Sequence, residues 1–221
     1  MLKKEVTMKA VIFDLDGTLL DTIDDIACSM NEVLKRHSLP QHTIDGYKIF
    51  VGKGVASLIR QAAAGAEAAG LSLSGLETEY RAEYSKRQAD RTAPYAGIPE
   101  LLSALASRSV KLAVLSNKPH EATLEVIAHF FPDVLFSAVI GQRQGRPAKP
   151  DPNGAFEILK LLVLTSEDVL FVGDSGTDMQ TAKAAGLKAA GALWGFRGKK
   201  ELVENGADVL AERPLDLLEL V

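Results

Sequence analysis

Residues 9–14 read Lys9-Ala10-Val11-Ile12-Phe13-Asp14, and the chain continues Leu15-Asp16-Gly17-Thr18. A short, nearly continuous apolar run is the pattern of a strand covered on both faces; a strand with one wet face would alternate. Similar runs recur at 111–116 (KLAVLS), 134–140, 168–173 (DVLFVG) and 187–193, with a last weak one at 208–210. Between them, apolar residues fall at three- and four-residue spacing. In 121–131 these are Leu124, Ile127, Ala128 and Phe131, and 154–162 and 177–185 follow suit. The last of these ends at Gly186, a good helix-terminating residue. Alternating strands and helices predict an α/β fold, a doubly wound parallel sheet with helices on both faces.

Residues 21–92 break this rhythm. They are rich in Ala and read as helical throughout, over 22–36, 54–64 and 76–91, with polar breaks at 38–45 and 65–74. The stretch is expected to form an all-helical subdomain inserted after the first strand, with hinges near Leu20 and Ala93. Residues 1–20 and 93–221 would then form a Rossmann-like core. Met1 to Met8 reads as a loose leader.

Composition excludes several classes. The 221 residues are 47% hydrophobic and 24% charged, an ordinary mix for a globular protein with a sizeable core. The net charge is -4 without runs of Lys or Arg, which argues against a nucleic-acid partner. Residues 1–9 are too polar for a secretory signal, and no apolar run reaches the roughly 18 residues of a membrane span. A cytoplasmic address is expected, as monomer or homodimer. The one cysteine, Cys28, permits no intrachain disulfide and reads as a buried bystander thiol.

The chemistry gathers where strands end, which is where doubly wound sheets bind ligands. Asp14 closes the first run and Asp16 lies two residues on, with Gly17 allowing a tight turn. Ser116-Asn117-Lys118-Pro119 follows a second run with short polar groups suited to an oxyanion. Gly173-Asp174-Ser175-Gly176-Thr177-Asp178 stands at the end of the fourth run, with Asp178 one helical turn beyond Asp174. Lys149-Pro150-Asp151-Pro152 precedes a helical pattern. Carboxylates at two strand ends suggest a hard divalent cation with oxygen ligands, and Mg2+ fits. The four histidines are scattered, so a zinc site is not expected.

In order, residues 13–18, Ser116-Asn117-Lys118, Lys149-Pro150 and Gly173-Asp174 with Asp178 resemble the four signature motifs of the haloacid dehalogenase superfamily. The resemblance runs from Lys9 to the C-terminus, and residues 21–92 look like that family's cap domain. It implies that Asp14 is a nucleophile forming an aspartyl-phosphate and that Asp16 is the general acid and base. It further implies metal ligation by Asp14, the carbonyl of Asp16 and Asp174, with Asp178 supporting. Lys149 would supply positive charge, and Thr18, Ser116 and Asn117 would bind the phosphoryl oxygens of a small phosphorylated metabolite. The dehalogenases of the superfamily lack an aspartate at the place of Asp16. Expelling an alkoxide needs a proton donor and displacing halide does not, so a phosphotransferase is expected.

Val51-Gly52-Lys53-Gly54, the Ser116 to Pro119 motif, and Leu193-Trp194-Gly195-Phe196-Arg197 with Asn205-Gly206-Ala207-Asp208 resemble the phosphoglycolate phosphatase branch. Two glycines before a helix expose amides that can meet an anion, and Lys53 adds a cation. Lys53 is thus the candidate ligand for a second anionic group, or else an ordinary solvated lysine. Residues 194–197 read as a packed loop beside the site, and Arg60 as solvent-facing. A sugar-phosphate mutase of the beta-phosphoglucomutase kind, a pyrophosphatase, a phosphonoacetaldehyde hydrolase with a Schiff base on Lys53, and a non-catalytic phosphate-sensing module are the alternatives.

Overall fold

The computed structural model describes residues 8–221, and residues 1–7, most of the expected leader, lie outside the described residues. The elements in chain order are β1 (Ala10–Phe13), β2 (Leu20–Asp21), α1 (Ile23–Arg36), α2 (Ile44–Phe50), α3 (Val55–Ala62), α4 (Leu73–Arg87), β3 (Ala93–Pro94), α5 (Ile98–Ser107) and β4 (Lys111–Pro119). There follow α6 (His120–Phe130), β5 (Phe136–Gln142), α7 (Asn153–Leu162), β6 (Val169–Gly173), α8 (Gly176–Ala184), β7 (Lys188–Ala192), α9 (Lys199–Glu204) and β8 (Val209–Ala211). The main sheet has the order β5-β4-β1-β6-β7-β8, parallel throughout.

The run at residues 9–14 explains this sheet. In β1 all four side chains are buried; Val11 and Phe13 join the core on one face, and Ala10 and Ile12 the core on the other. Burying a side chain as large as Phe13 stabilises by about 1.5–3 kcal/mol, so a polar residue on either face would be costly. The chain leaves β1 for β4 and β5 on one side, then crosses to β6 on the other. The switch point therefore lies beside β1, which opens a crevice at its carboxyl end.

Helices α1 to α4 pack on a third apolar cluster of their own, built on Met30, Leu34, Tyr47, Ile59 and Leu76. The two connections to the core run side by side. β2 and β3 form a two-stranded antiparallel ladder pairing Leu20 with Pro94 and Asp21 with Ala93. From the first turn of α1, the buried Asp25 carboxylate accepts from the backbone N–H of Arg91 and Thr92 and from the Thr92 hydroxyl.

Several details depart from the expectations. Helix α2 begins inside the supposed break at 38–45, because Thr43 caps it by accepting from the Gly46 N–H. Helix α5, unannounced in the sequence reading, buries Ile98, Leu101, Leu102 and Leu105 against the sheet. On α6 the face toward the sheet is Thr123, Val126 and Ile127, while Leu124 is 44% exposed. Cys28 is half-buried on α1, not buried. Gly186 does follow the end of α8, with φ of 70° and its N–H on the Lys183 carbonyl. No helix among the described residues is long and apolar enough to cross a membrane.

Candidate active site

Asp14 and Asp174 stand at the carboxyl ends of the neighbouring strands β1 and β6, and Asp178 approaches them from the first turn of α8. Each of the three offers an oxygen within 4.8 Å of the others. Local chemistry sets this arrangement. Asp178 completes a capping box, its Oδ2 accepting from the Ser175 N–H at 3.1 Å and the Ser175 hydroxyl at 2.6 Å. Its Oδ1 accepts from Lys149 Nζ at 2.6 Å, and Lys149 also lies 2.8 Å from Asp14 Oδ1. The same Asp14 oxygen accepts from the Leu15 N–H. Its other oxygen accepts from no donor among the described residues, and Asp14 lines the crevice.

Fully ionised, the three buried carboxylates would leave two negative charges unmatched by the one ammonium. Burial first and the Asp178 charge second hold Asp14 well above the usual carboxylate range. The same two causes push Asp174 up to about 7. A divalent cation would remove this imbalance, and the all-oxygen donor set suits a hard one. Asp178 is the least available of the three: its oxygens carry three donors, one of them the Lys149 ammonium, whereas each Asp174 oxygen accepts from one neutral donor and Asp14 keeps one oxygen free among the described residues. The backbone around Asp174 leaves no spare room: a Cβ on Gly17 or on Gly195 would overlap the Asp174 side chain.

Above this cluster lies a cavity of about 260 Å³ between the core loops and the inserted helices. Asp14, Asp16, Ser116, Asn117 and Lys118 form its core side, and Leu58, Tyr80, Arg81 and Tyr84 are among its residues on the helices. Asp16 Oδ1 accepts from Lys118 Nζ at 2.9 Å. Ser116 is buried, and its oxygen accepts from the Lys118 N–H at 3.2 Å, which leaves the hydroxyl proton to give away. The Asn117 side chain ties three segments together. Its Nδ2 donates to the Gly52 and Lys149 carbonyls, and its Oδ1 accepts from the Lys149 N–H.

Two expected substrate ligands fall elsewhere. Thr18 is fully buried and donates its hydroxyl to Asp174 Oδ1 at 3.1 Å, so it does not line the cavity. Lys53 is exposed and absent from the cavity wall, although its neighbours Gly52 and Gly54 belong to it. Lys53 stands between two glycines of positive φ, 111° and 82°, whose backbone meets Asn117: the Gly52 carbonyl accepts from Asn117 Nδ2, and a Cβ on Gly54 would reach the Asn117 carbonyl. Arg60 is exposed, as expected.

The sequence reading gave no role to Lys118, quoted only within its motif, or to Tyr84. Lys118, 5% exposed, donates to Asp16 and, at 2.7 Å, to the hydroxyl of Tyr84 on α4. Burial alone would pull its ammonium down, but Asp16 and Tyr84 together push it above its ordinary range. Residues 194–197 are a packed loop, and they also grip both sides of the site. The Phe196 N–H donates to Asp174 Oδ2 at 2.8 Å and Trp194 Nε1 to the Thr18 carbonyl, while Arg197 Nη2 donates to the Ile49 and Val51 carbonyls.

The family model described as haloacid dehalogenase-like hydrolase matches residues 11–192, from β1 to the end of β7. A phosphoglycolate phosphatase of Aquifex aeolicus is 32% identical over 222 residues, covering 97% of each chain. One from Mannheimia succiniciproducens is also 32% identical, over 96% of this chain and 98% of its own. A crystal structure of a predicted phosphoglycolate phosphatase from Haemophilus somnus superposes with a TM-score of 0.90 at 27% identity, covering 98% of this chain and 99% of that one. With the strand-end aspartates, the parallel sheet and the inserted helices agreeing, the chain belongs to the haloacid dehalogenase-like hydrolase family, and within it resembles the phosphoglycolate phosphatase branch.

Proposed function

We propose that this chain is a magnesium-dependent phosphatase for a small phosphate monoester, with phosphoglycolate the favoured substrate, and that residues 21–92 act as a cap over the crevice. The observation that carries this reading is the pairing of Asp14, with one oxygen free at the crevice, and Asp16, whose carboxyl lines the same cavity. Asp14 Oδ2 forms a bond to phosphorus while the ester oxygen leaves with its bonding pair and takes a proton from Asp16. Asp16 then accepts a proton from the water that attacks the aspartyl-phosphate, releasing phosphate and restoring Asp14. Ser116 donates its hydroxyl to a phosphoryl oxygen, and Lys149 holds Asp14 in line while offsetting its charge. Asp178 and Ser175 keep Lys149 in place. Asp14, the Asp16 carbonyl and Asp174 would hold the magnesium ion, which lowers the cost of bringing an anionic phosphate to an anionic carboxylate.

The test is release of phosphate from phosphoglycolate, hexose phosphates, pyrophosphate and p-nitrophenyl phosphate, with magnesium and with chelator. Magnesium-dependent hydrolysis with the highest kcat/KM on phosphoglycolate is expected. A higher kcat/KM on pyrophosphate, or isomerisation of a hexose phosphate without net phosphate release, would overturn it.

A further inference from the structure

The geometry points to Lys118 and Tyr84 as a two-pronged subsite for a carboxylate carried by the substrate beside its leaving oxygen. This deepens the phosphatase reading and rests on it. An ammonium has three N–H donors. Lys118 spends one on Asp16 Oδ1 at 2.9 Å and one on the Tyr84 hydroxyl at 2.7 Å, and both residues line the cavity. One N–H of Lys118 therefore remains. Tyr84 accepts from Lys118, so its own O–H is also unspent among the described residues. The ammonium sits 4.5 Å from the Tyr84 ring centroid, which fixes the two groups against each other. Two adjacent donors, one charged, match the two oxygens of a carboxylate.

Other cations of the region do not offer this. Lys53 lies outside the cavity wall, and Arg81 spends Nε and Nη2 on Glu77 Oε1. The cavity also has Glu121 and Glu125 in its wall, on α6 beyond Lys118, so an anion is favoured at Lys118 and disfavoured beside that helix. Position then narrows the ligand. Lys118 touches the carboxyl assigned to protonate the leaving oxygen, so a carboxylate held by Lys118 lies next to that oxygen. Phosphate esters of short 2-hydroxy acids satisfy this, and esters whose acid group is several carbons away do not. Because Lys118 comes from the core and Tyr84 from α4, such a ligand bridges core and cap.

The test compares 2-phosphoglycolate with 2-hydroxyethyl phosphate, which has the same phosphate and leaving oxygen without the carboxylate. In the wild type the ratio of kcat/KM values favours 2-phosphoglycolate. Tyr84→Phe, which keeps the ring, and Lys118→Met are each expected to lower that ratio by about tenfold or more. Removing Lys118 leaves Asp16 without its partner and endangers the fold, so Tyr84→Phe decides the matter: an unchanged ratio in this variant overturns the subsite. Calorimetric binding of both esters to Asp14→Asn, with and without Tyr84→Phe, gives a readout free of turnover. Tyr84-dependent preference for 2-phosphoglycolate there, in a protein whose wild type turns over neither ester, sinks the phosphatase reading and upholds the subsite. Rapid turnover of both esters with no preference does the reverse.

Discussion

Titrating the metal-free protein isolates the charge imbalance beneath the cavity. Asp174 is 2% exposed, and its pKa stands at about 7 in the folded chain because of burial and the Asp178 charge. In the unfolded chain it returns to about 3.9. Between these values the folded, metal-free protein keeps a proton that the unfolded chain has released. The contribution of this group to stability is therefore full below about pH 4 and is lost as pH rises to about 7, a fall on the order of 4 kcal/mol. Cation binding requires the ionised carboxylate and expels that proton. From a pKa near 7, magnesium should displace about 0.9 proton from Asp174 at pH 6 and about 0.1 at pH 8, with Asp14 adding to the release. Isothermal titration with magnesium chloride in two buffers of different ionisation heat counts these protons. Thermal melts from pH 5 to 8 follow the stability, and Asp174→Asn, which cannot titrate, should flatten the slope. Identical heats in the two buffers at pH 6 would refute the reasoning.

Asp14→Asn should lower kcat by at least about 10³-fold with the melting temperature within a few degrees of wild type, since shape is kept and the nucleophile lost; turnover within tenfold of wild type in a phosphate-release assay removes the assignment. Asp16→Asn should slow alkyl phosphates far more than p-nitrophenyl phosphate, whose leaving oxygen hardly needs a proton, and equal losses on both would count against a proton donor there. Gly195→Ala should weaken magnesium binding measured by calorimetry, because the new methyl meets Asp174 and the Gly17 carbonyl; wild-type affinity would show that the loop can yield. Lys53→Ala should change kcat/KM for phosphoglycolate less than about twofold, the result for a solvated lysine, and a tenfold loss would mean that closure carries Lys53 inward.

What could be read before the structure follows from where the information resides. The strand at Ala10–Phe13 is legible because both faces need apolar cover, so four consecutive letters carry the answer. Asp14, Asp174 and Asp178 are legible because parallel strands put their carboxyl ends at one edge whatever their separation in sequence. Thr18 donates to Asp174 and does not line the cavity; a hydroxyl at a strand-end site can serve either a ligand or a neighbouring carboxylate, and only the distance shows which it meets here. Lys53 is exposed and outside the cavity wall, and which way a side chain between two glycines turns depends on the folded backbone, not on the motif. Tyr84 lies on a helix of weak periodicity, and its meeting with Lys118 depends on how the inserted helices dock. The ladder of β2 and β3 is two residues long and includes a proline, too short for any pattern.

The loop at 194–197 has a consequence beyond packing. Phe196 holds a carboxylate proposed to bind the metal, and the next residue, Arg197, holds two carbonyls at the C-terminal end of α2. If residues 21–92 act as the proposed cap over a bound ion, one short piece of chain takes part in both equilibria, ion occupancy and cap position. Thermodynamic reciprocity then applies: if the ion favours the docked cap by some factor, docking tightens the ion by the same factor. A ligand that draws the cap down would then tighten ion binding, and its loss would weaken both together.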